Sequence, residues 1–269
     1  MSTNSDQKVF VICDFSEQMK EVIVHGARMA DVLHKELCLL AFWKSKNQKI
    51  SCREKTNRIT ENIKTNLPNL QVSSLILQGS LRAQIENLVD QYNAVLVVIH
   101  QTDLKNGLSA LRESSIPFLF VNGSLPEFLQ YKNILVPVDF RKASKETSLW
   151  ASYFGRFNKS HIQVIYAHET NLDQKNRLTR NVEFFKKFLS SLNVRYSLVE
   201  GKSTSWGIWN ETLTNAKIWQ GDAMIVSGSS SFSLLDLLIG LPEKKIIRQA
   251  GNLPVLMINP RKDICVLCD

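Results

Sequence analysis

Two segments in the second half of the chain carry residues that could bind an anion. Gly228 opens a Gly/Ser-rich loop that runs to Gly240 and follows the apolar run 223–226. A strand that ends in such a loop and leads into a helix gathers backbone N–H groups around a phosphate. The other segment, 134–139, is an apolar run that ends in the carboxylate of Asp139. Together the two segments predict a nucleotide pocket at the carboxyl edge of a parallel sheet.

Residues for covalent or metal-assisted catalysis do not form a motif in the sequence. There is no nucleophile elbow, and no lysine follows the glycine loop as it does in a P-loop. The five histidines lack the spacing of metal ligands, although His100 and His168 follow apolar runs and could face a pocket. We therefore predict a binding protein without a catalytic residue or a metal site, and at most weak ATP hydrolysis.

The composition indicates a packed globular protein without a membrane or nucleic-acid partner. Hydrophobic residues make up 44% of the 269 residues, and no apolar run approaches the roughly 20 residues that a membrane span needs. The net charge of +8 is spread along the chain, and no motif of a nucleic-acid-binding fold accompanies it. The first residues lack the regions of a signal peptide, and five cysteines fit a reducing compartment. We expect a cytoplasmic protein.

Four of the cysteines fall into two pairs with different expected roles. Cys13 and Cys38 lie within apolar, strand-like runs and are expected to be small core residues. Cys265 and Cys268 have the spacing of a redox or half-zinc pair, but the strand-to-helix context and a second ligand pair are missing. The role of this C-terminal pair is left open.

The sequence contains two copies of one unit. The run that ends in Asp14 matches the run that ends in Asp139, 125 residues later, and the same offset brings 37–42 onto 162–167. Further matches along the two copies are 74–79 with 197–201, 94–97 with 223–226, and 116–121 with 253–258. A segment with Gly, Ser and Pro near 122–131 marks the linker between the copies.

Each copy alternates short apolar runs with segments of helical periodicity. Apolar residues recur at spacings of three and four from Met19 to Leu33 in the first copy and from Leu178 to Leu189 in the second. This alternation predicts an α/β fold with a parallel sheet in each copy. The predicted domains are 1–122 and 131–262, followed by a tail at 263–269.

Taken together, these segments resemble the universal stress protein family. The resemblance depends on 134–139, the 223–226 run, the Gly/Ser loop and the closing run 248–256, and it covers nearly the whole chain as a tandem pair. It implies that each unit is a five-stranded parallel sheet between helices, Rossmann-like and of the adenine nucleotide alpha hydrolase-like type. It also implies that the last strands of the halves pair them as an intramolecular pseudo-dimer. A homodimer and an unidentified protein partner are further expectations.

Many members of this family bind ATP or a related adenine nucleotide, and the resemblance extends this function to the second copy. The residues that match the family's binding positions are Pro137, Val138, Asp139, Ala167, Gly228, Ser229, Ser230, Ser231 and Gly240. We therefore expect ATP or another adenine nucleotide, with Mg²⁺, in the second half. The implied role is regulation by binding in a stress response.

Three departures from the family pattern bear on this expectation. Ser231 stands where the second glycine of the loop belongs, and Leu241 replaces the serine after the third glycine. Asp236 puts a carboxylate where a basic residue is common, and a carboxylate repels phosphate. The alternative is therefore a scaffold or interaction protein that binds no nucleotide. An ATP-hydrolysing or adenylyl-transferring enzyme is a third hypothesis.

The first copy keeps only one element of the binding pattern. Asp14 is retained, but the copy is eight residues shorter where the phosphate loop belongs. Ile99 stands at the position of the loop's first glycine and is followed by His100, and Gly107 is the one glycine nearby. We expect no nucleotide in this half.

Three tryptophans, Trp206, Trp209 and Trp219, follow one another closely in the second copy. They are predicted on one helical segment, with Trp206 and Trp209 on the same face because they are three residues apart. The expected role is packing in the core or between domains. The alternative is a stacking platform for a base or another ring.

Overall fold

The computed structural model describes residues 6–122, 129–228 and 242–260. These residues form two compact units. The boundary between the units lies in the sequence between residues 122 and 129. The predicted loop residues Ser229, Ser230, Ser231 and Gly240 lie outside the described residues, as do Asp236, Leu241, Cys265 and Cys268.

The first unit alternates strands and helices along the chain. Its elements are β1 (Lys8–Ile12), α1 (Met19–Leu33), β2 (Glu36–Trp43), α2 (Lys46–Asn66), β3 (Val72–Gln78), α3 (Leu81–Tyr92), β4 (Ala94–His100), α4 (Leu104–Leu111) and β5 (Phe118–Val121). The strands form a parallel sheet in the order β3-β2-β1-β4-β5. Each crossover contains a helix, as parallel pairing requires.

The second unit repeats this plan. Its elements are β6 (Asn133–Val138), α5 (Thr147–Asn158), β7 (His161–Tyr166), α6 (Leu172–Ser191), β8 (Tyr196–Glu200), α7 (Ile208–Thr214), β9 (Ala223–Ser227), α8 (Pro242–Gln249) and β10 (Val255–Ile258). The strands again pair in parallel, in the order β10-β9-β6-β7-β8. The predicted α/β fold, with five parallel strands in each of two tandem units, is confirmed.

Capping residues and left-handed residues mark the ends of several of these helices. Ser45 caps α2 in a capping box with Gln48, and the Asn171 side chain accepts the Gln174 N–H at the start of α6. Helix α1 ends at His34 and α5 ends at Lys159, both in the left-handed conformation. These two residues are 125 positions apart, so the repeat seen in the sequence extends to the geometry of its helix ends.

The thiols of Cys13 and Cys38 lie in the core of the first unit, as predicted. Burial raises the pKa of the Cys38 thiol to about 11, and burial also raises the pKa of Cys13, with Cys38 acting in the same direction. Both side chains are therefore neutral at physiological pH and pack as small hydrophobic groups.

No helix within the described parts of the chain is long and apolar enough to cross a membrane. The longest of them, α2, has mostly exposed and polar side chains.

Helix α1 approaches its sheet closely at Gly26. A methyl group on Gly26 would lie 2.0 Å from Val11 Cγ2 and 3.3 Å from Leu37 Cδ1. Val11 and Leu37 are fully buried strand residues, and a β-branched side chain has little rotamer freedom with which to move away. Glycine at this position therefore sets the distance between helix and sheet.

We predict that Gly26→Ala destabilises the first unit by about 1–3 kcal/mol, because the cost of overpacking outweighs the gain of about 1 kcal/mol in helix propensity. Lys20→Ala, at an exposed position of the same helix, should change stability by less than about 0.5 kcal/mol. Urea denaturation followed by circular dichroism measures both. A Gly26→Ala variant more stable than wild type would contradict the close packing.

The imidazole of His25 is buried on the inner side of α1. Burial lowers its pKa to about 4, against about 6.5 in an unfolded chain. Between these two pH values the unfolded chain binds a proton that the folded protein does not, so stability falls as the pH falls.

We predict that His25 lowers the free energy of unfolding by up to about 3 kcal/mol between pH 6.5 and pH 4, because burial lowers its pKa from about 6.5 in the unfolded chain to about 4. His25→Gln removes this titrating group, and its free energy of unfolding should fall less steeply over the same interval. Urea denaturation at pH 7.5, 6.5, 5.5 and 4.5 compares the two proteins. Equal slopes would show that His25 is not kept neutral by the fold.

Candidate functional site

The strand order of the second unit reverses between β6 and β9. From β6 the sheet continues to β7 and β8 on one side, and β9 and β10 lie on the other. Ligands of open α/β sheets bind at such a switch point, outside the carboxyl ends of the strands. Asp139 follows β6, Ala167 follows β7 and Gly228 follows β9, so these three residues follow strands that end at one edge.

The carboxylate of Asp139 is held by Arg141. Its side chain is 10% exposed, and Oδ1 accepts the backbone N–H of Arg141 at 2.7 Å. Oδ2 accepts Arg141 Nε–H at 2.8 Å and also Nη2–H. A carboxylate removed from water needs such charge-assisted hydrogen bonds. Arg141 therefore neutralises Asp139 and is a site residue that the sequence reasoning did not identify.

Two buried polar side chains fix the backbone around this pair. Asn181, on α6, donates through Nδ2 to the carbonyl oxygens of Asp139 at 2.7 Å and of Arg141 at 2.9 Å. Ser205 accepts the Phe140 N–H at 3.2 Å through Oγ, and its own N–H donates to Glu169 Oε1 at 2.8 Å. The segment after β6 is thus attached to α6 on one side and to the loop after β8 on the other.

Trp206 lies at the same edge and not on a helix, so the prediction for the tryptophan segment is wrong here. Helix α7 begins at Ile208, and Trp206 lies in the preceding turn. The Gly207 and Ile208 N–H groups both donate to the Thr204 carbonyl oxygen, which closes the turn before the helix starts. Trp206 is 70% exposed, which also excludes it from the core packing that we expected.

Pro137 and Val138 are the last residues of β6, and both are buried. The side chain of Ala167 is buried too, and its N–H donates to the Val138 carbonyl oxygen at 3.0 Å. His168 Nδ1 lies 2.9 Å from Glu200 Oε1, so this histidine has a carboxylate partner on the next strand. Among the predicted nucleotide-binding residues that the structure describes, Asp139 is the one with a polar side chain.

Gly228 is hydrogen-bonded within the sheet. Its N–H donates to the Ile258 carbonyl oxygen at 2.8 Å, which extends the pairing of β9 with β10. A Cβ on Gly228 would lie 3.3 Å from that oxygen and 3.4 Å from Glu243 Oε1. The position favours glycine because of these neighbours, and its N–H is not available to a phosphate in this arrangement.

The corresponding edge of the first unit carries several carboxylates. Asp14 accepts hydrogen bonds from the N–H and hydroxyl of Ser16 at 3.0 and 2.7 Å. Burial raises the pKa of Asp103, and the Asp14 carboxylate acts in the same direction. His100 Nε2 lies 3.4 Å from Glu21 Oε2. Carboxylates close to one another at this edge would repel a phosphate.

Gly107 in the first unit serves helix packing. It lies within α4, and a Cβ there would approach the Phe120 ring to 2.8 Å. This glycine is therefore not part of a phosphate-binding loop.

Comparison with solved structures relates the whole chain to one group of proteins. A universal stress protein from Archaeoglobus fulgidus DSM 4304 is similar over 95% of this chain and 99% of its own, with a TM-score of 0.74 and 11% identity. The chain has the universal stress protein fold. No protein-family model and no curated protein matches the sequence.

Two further structures support this fold at full length. A putative universal stress protein from Pseudomonas aeruginosa UCBPP-PA14 is similar over 96% of this chain and 95% of its own, with a TM-score of 0.62 and 16% identity. A protein of unknown function from Pseudomonas aeruginosa PAO1 covers 96% of this chain and 94% of its own, with a TM-score of 0.60 and 16% identity. The resemblance that the sequence motifs indicated is confirmed at the level of the fold.

We predict that Asn181→Ala destabilises the second unit by about 2 kcal/mol, because two carbonyl oxygens near β6 lose their donor in a buried place. Asn176→Ala is the matched control, since Asn176 is exposed on the same helix. Denaturant unfolding of both variants measures the difference. A loss as small as that of the control would mean that Asn181 does not hold the segment.

Proposed function

We propose that this chain is a regulatory binding protein of the universal stress type whose second unit binds one adenine nucleotide. The observation that carries the proposal is that Asp139 and Gly228 follow the two strands, β6 and β9, that flank the reversal of strand order. This is the crevice in which α/β sheets bind their ligands. The first unit has the same crevice with an acidic edge, which supports a single site.

In this proposal the residues at the ends of β6 and β7 contact the adenosine part of the ligand, namely Pro137, Val138, Asp139 and Ala167. The phosphates face the loop that begins at Gly228 and includes Ser229, Ser230, Ser231 and Gly240. Because the Gly228 N–H is used in the sheet, phosphate binding depends on the residues after it. The serine hydroxyls would supply hydrogen-bond donors for this purpose.

Arg141 gives the proposed site hydrogen-bond donors beside Asp139. A guanidinium has five N–H groups, and Asp139 accepts from Nε and Nη2. The Arg141 side chain is 45% exposed, so further N–H groups can reach an anion without breaking the pair. These remaining N–H donors support an anionic ligand beside Asp139.

The proposal assigns binding and no turnover to the chain. No group of three or more His, Cys, Asp or Glu side chains in the described ranges is arranged to hold a metal ion. Any Mg²⁺ would therefore enter on the phosphates of the nucleotide. Cytoplasmic location, pairing of the two units as a pseudo-dimer, a homodimer and an unidentified protein partner remain predictions that accompany this function.

A scaffold that binds no nucleotide is the second candidate. One observation favours it: both oxygens of Asp139 and the N–H of Gly228 already have hydrogen-bond partners in the protein. A ligand that needs these groups would have to displace Arg141 or share Asp139 with it. Partner binding through exposed surface would then be the function of the chain.

We predict that AMP, ADP or ATP at about 1 mM with Mg²⁺ raises the midpoint of thermal unfolding by several degrees, since binding at a hundred times Kd adds about 2.7 kcal/mol. Asp139→Ala should abolish the shift. Asp14→Ala is the matched control, because it removes the equivalent carboxylate from the first unit, and it should retain the shift. Circular dichroism without ligand checks that both variants are folded.

Two results would contradict the proposal. If no nucleotide shifts the midpoint of the wild-type protein, and calorimetry at millimolar concentration shows no heat of binding, the scaffold is the better description. If Asp14→Ala abolishes the shift and Asp139→Ala does not, the nucleotide binds in the first unit.

A further inference from the structure

An exposed tryptophan, Trp206, follows the buried Ser205 in the turn before α7 and contacts Phe140 and Arg141, the two residues after Asp139. Trp206 is 70% exposed, while its neighbour Ser205 is 2% exposed. Ser205 is bonded to Phe140 and to Glu169, a carboxylate that is also buried. The backbone of the turn is thus fixed from inside, and the large apolar ring that it carries faces water. An indole held in this way is suited to contact with another molecule.

Aromatic and cationic side chains surround this ring. The Phe140 ring meets Trp206 edge-on, with centroids 6.2 Å apart and an interplanar angle of 81°. The guanidinium carbon of Arg141 lies 5.8 Å from the centroid of the Trp206 ring, and that of Arg177 lies 5.1 Å from the Phe140 centroid. Asp139 and Glu169 are buried, hydrogen-bonded carboxylates near this ring, and Arg177 Nη1 lies 3.9 Å from Oδ2 of the exposed Asp173.

The repeat offers an internal comparison for this feature. In the first unit, α3 begins at Leu81, two residues after Gly79, and Ser80 caps it directly. In the second unit, α7 begins at Ile208, seven residues after the matching Gly201. The connection after β8 is therefore five residues longer, and the longer connection is the one that carries Trp206. The exposed ring is present in the unit with the proposed site.

The chemistry of this surface favours a planar ring with a negative charge attached to it. A flat indole gives stacking energy to any base or similar ring, and the N–H groups of Arg141 that Asp139 does not use can donate to the anionic part of the same molecule. Phe140 follows Asp139 directly in sequence and contacts Trp206. The stacking surface and the proposed nucleotide site are therefore adjacent.

We propose that Trp206 stacks on the base of the nucleotide bound beside Asp139, with Arg141 close to its charged part. This inference rests on the proposed function, because it concerns the base of the same ligand. It makes Trp206 a ligand-contacting residue, and it makes the longer connection after β8 the part of the second unit that distinguishes nucleotides from other phosphate compounds.

The experiment compares AMP with ribose 5-phosphate, which has the same sugar phosphate and no base. Calorimetry gives Kd for wild type, Trp206→Ala, Trp206→Phe and the control Ile218→Ala, which removes another side chain that is 75% exposed. We expect Trp206→Ala to lose about tenfold to a hundredfold in affinity for AMP, the range for removal of one aromatic stacking partner. Trp206→Phe should recover most of this loss, and Ile218→Ala should bind as wild type does.

Binding of ribose 5-phosphate decides between stacking and a structural role. Stacking predicts equal affinity for ribose 5-phosphate in wild type and Trp206→Ala. If Trp206→Ala binds AMP as wild type does, the inference is wrong and the proposed function stands. Equal losses for both ligands would also overturn it, because Trp206 would then support the site without contacting the base. If wild type binds neither AMP nor ATP, the proposed function and this inference fail together.

Discussion

The edge of the second unit depends on the ion pair between the buried Asp139 carboxylate and the half-exposed Arg141. Asp139 terminates the central strand at a place where water is largely excluded, and a carboxylate there is stable only with donors of its own. Arg141 supplies them from two residues away, and this short turn directs Phe140 towards Trp206. Asn181 and Ser205 then hold the turn through its backbone. The aromatic surface and the hydrogen-bond donors of the site follow from this arrangement.

The two units show how one fold can carry two chemistries. In both of them an aspartate follows the central strand, Asp14 two residues after β1 and Asp139 directly after β6, and both reverse the strand order at the same position. In the first unit the neighbours of Asp14 are a serine and a second carboxylate, Asp103, whereas in the second an arginine accompanies Asp139. The fold therefore fixes where a ligand can bind, and a few side chains determine the charge it must have.

The fold could be predicted from the sequence because it depends on periodic burial. Apolar runs such as 94–100 become buried strands, and repeated spacing predicts two similar units. The site could be predicted only in part, since its contacts join residues that are far apart, as Asn181 and Asp139 are. Spacing predicts a helix for Trp206, and this prediction is wrong because spacing alone does not reveal the turn at Thr204–Gly207. The hydrogen bond of Gly228 depends on the register of β9 and β10, which the loop motif does not contain.

The burial of Cys13 and Cys38 in the first unit determines how these thiols react with oxidants. Peroxides react with thiolates, and the raised pKa values of Cys13 and Cys38 keep both sulfurs protonated at neutral pH. Their location in the core also keeps oxidants in solution away from them. These two cysteines are therefore protected from oxidation by the same burial that makes them core residues, and their sulfurs act as unreactive packing groups.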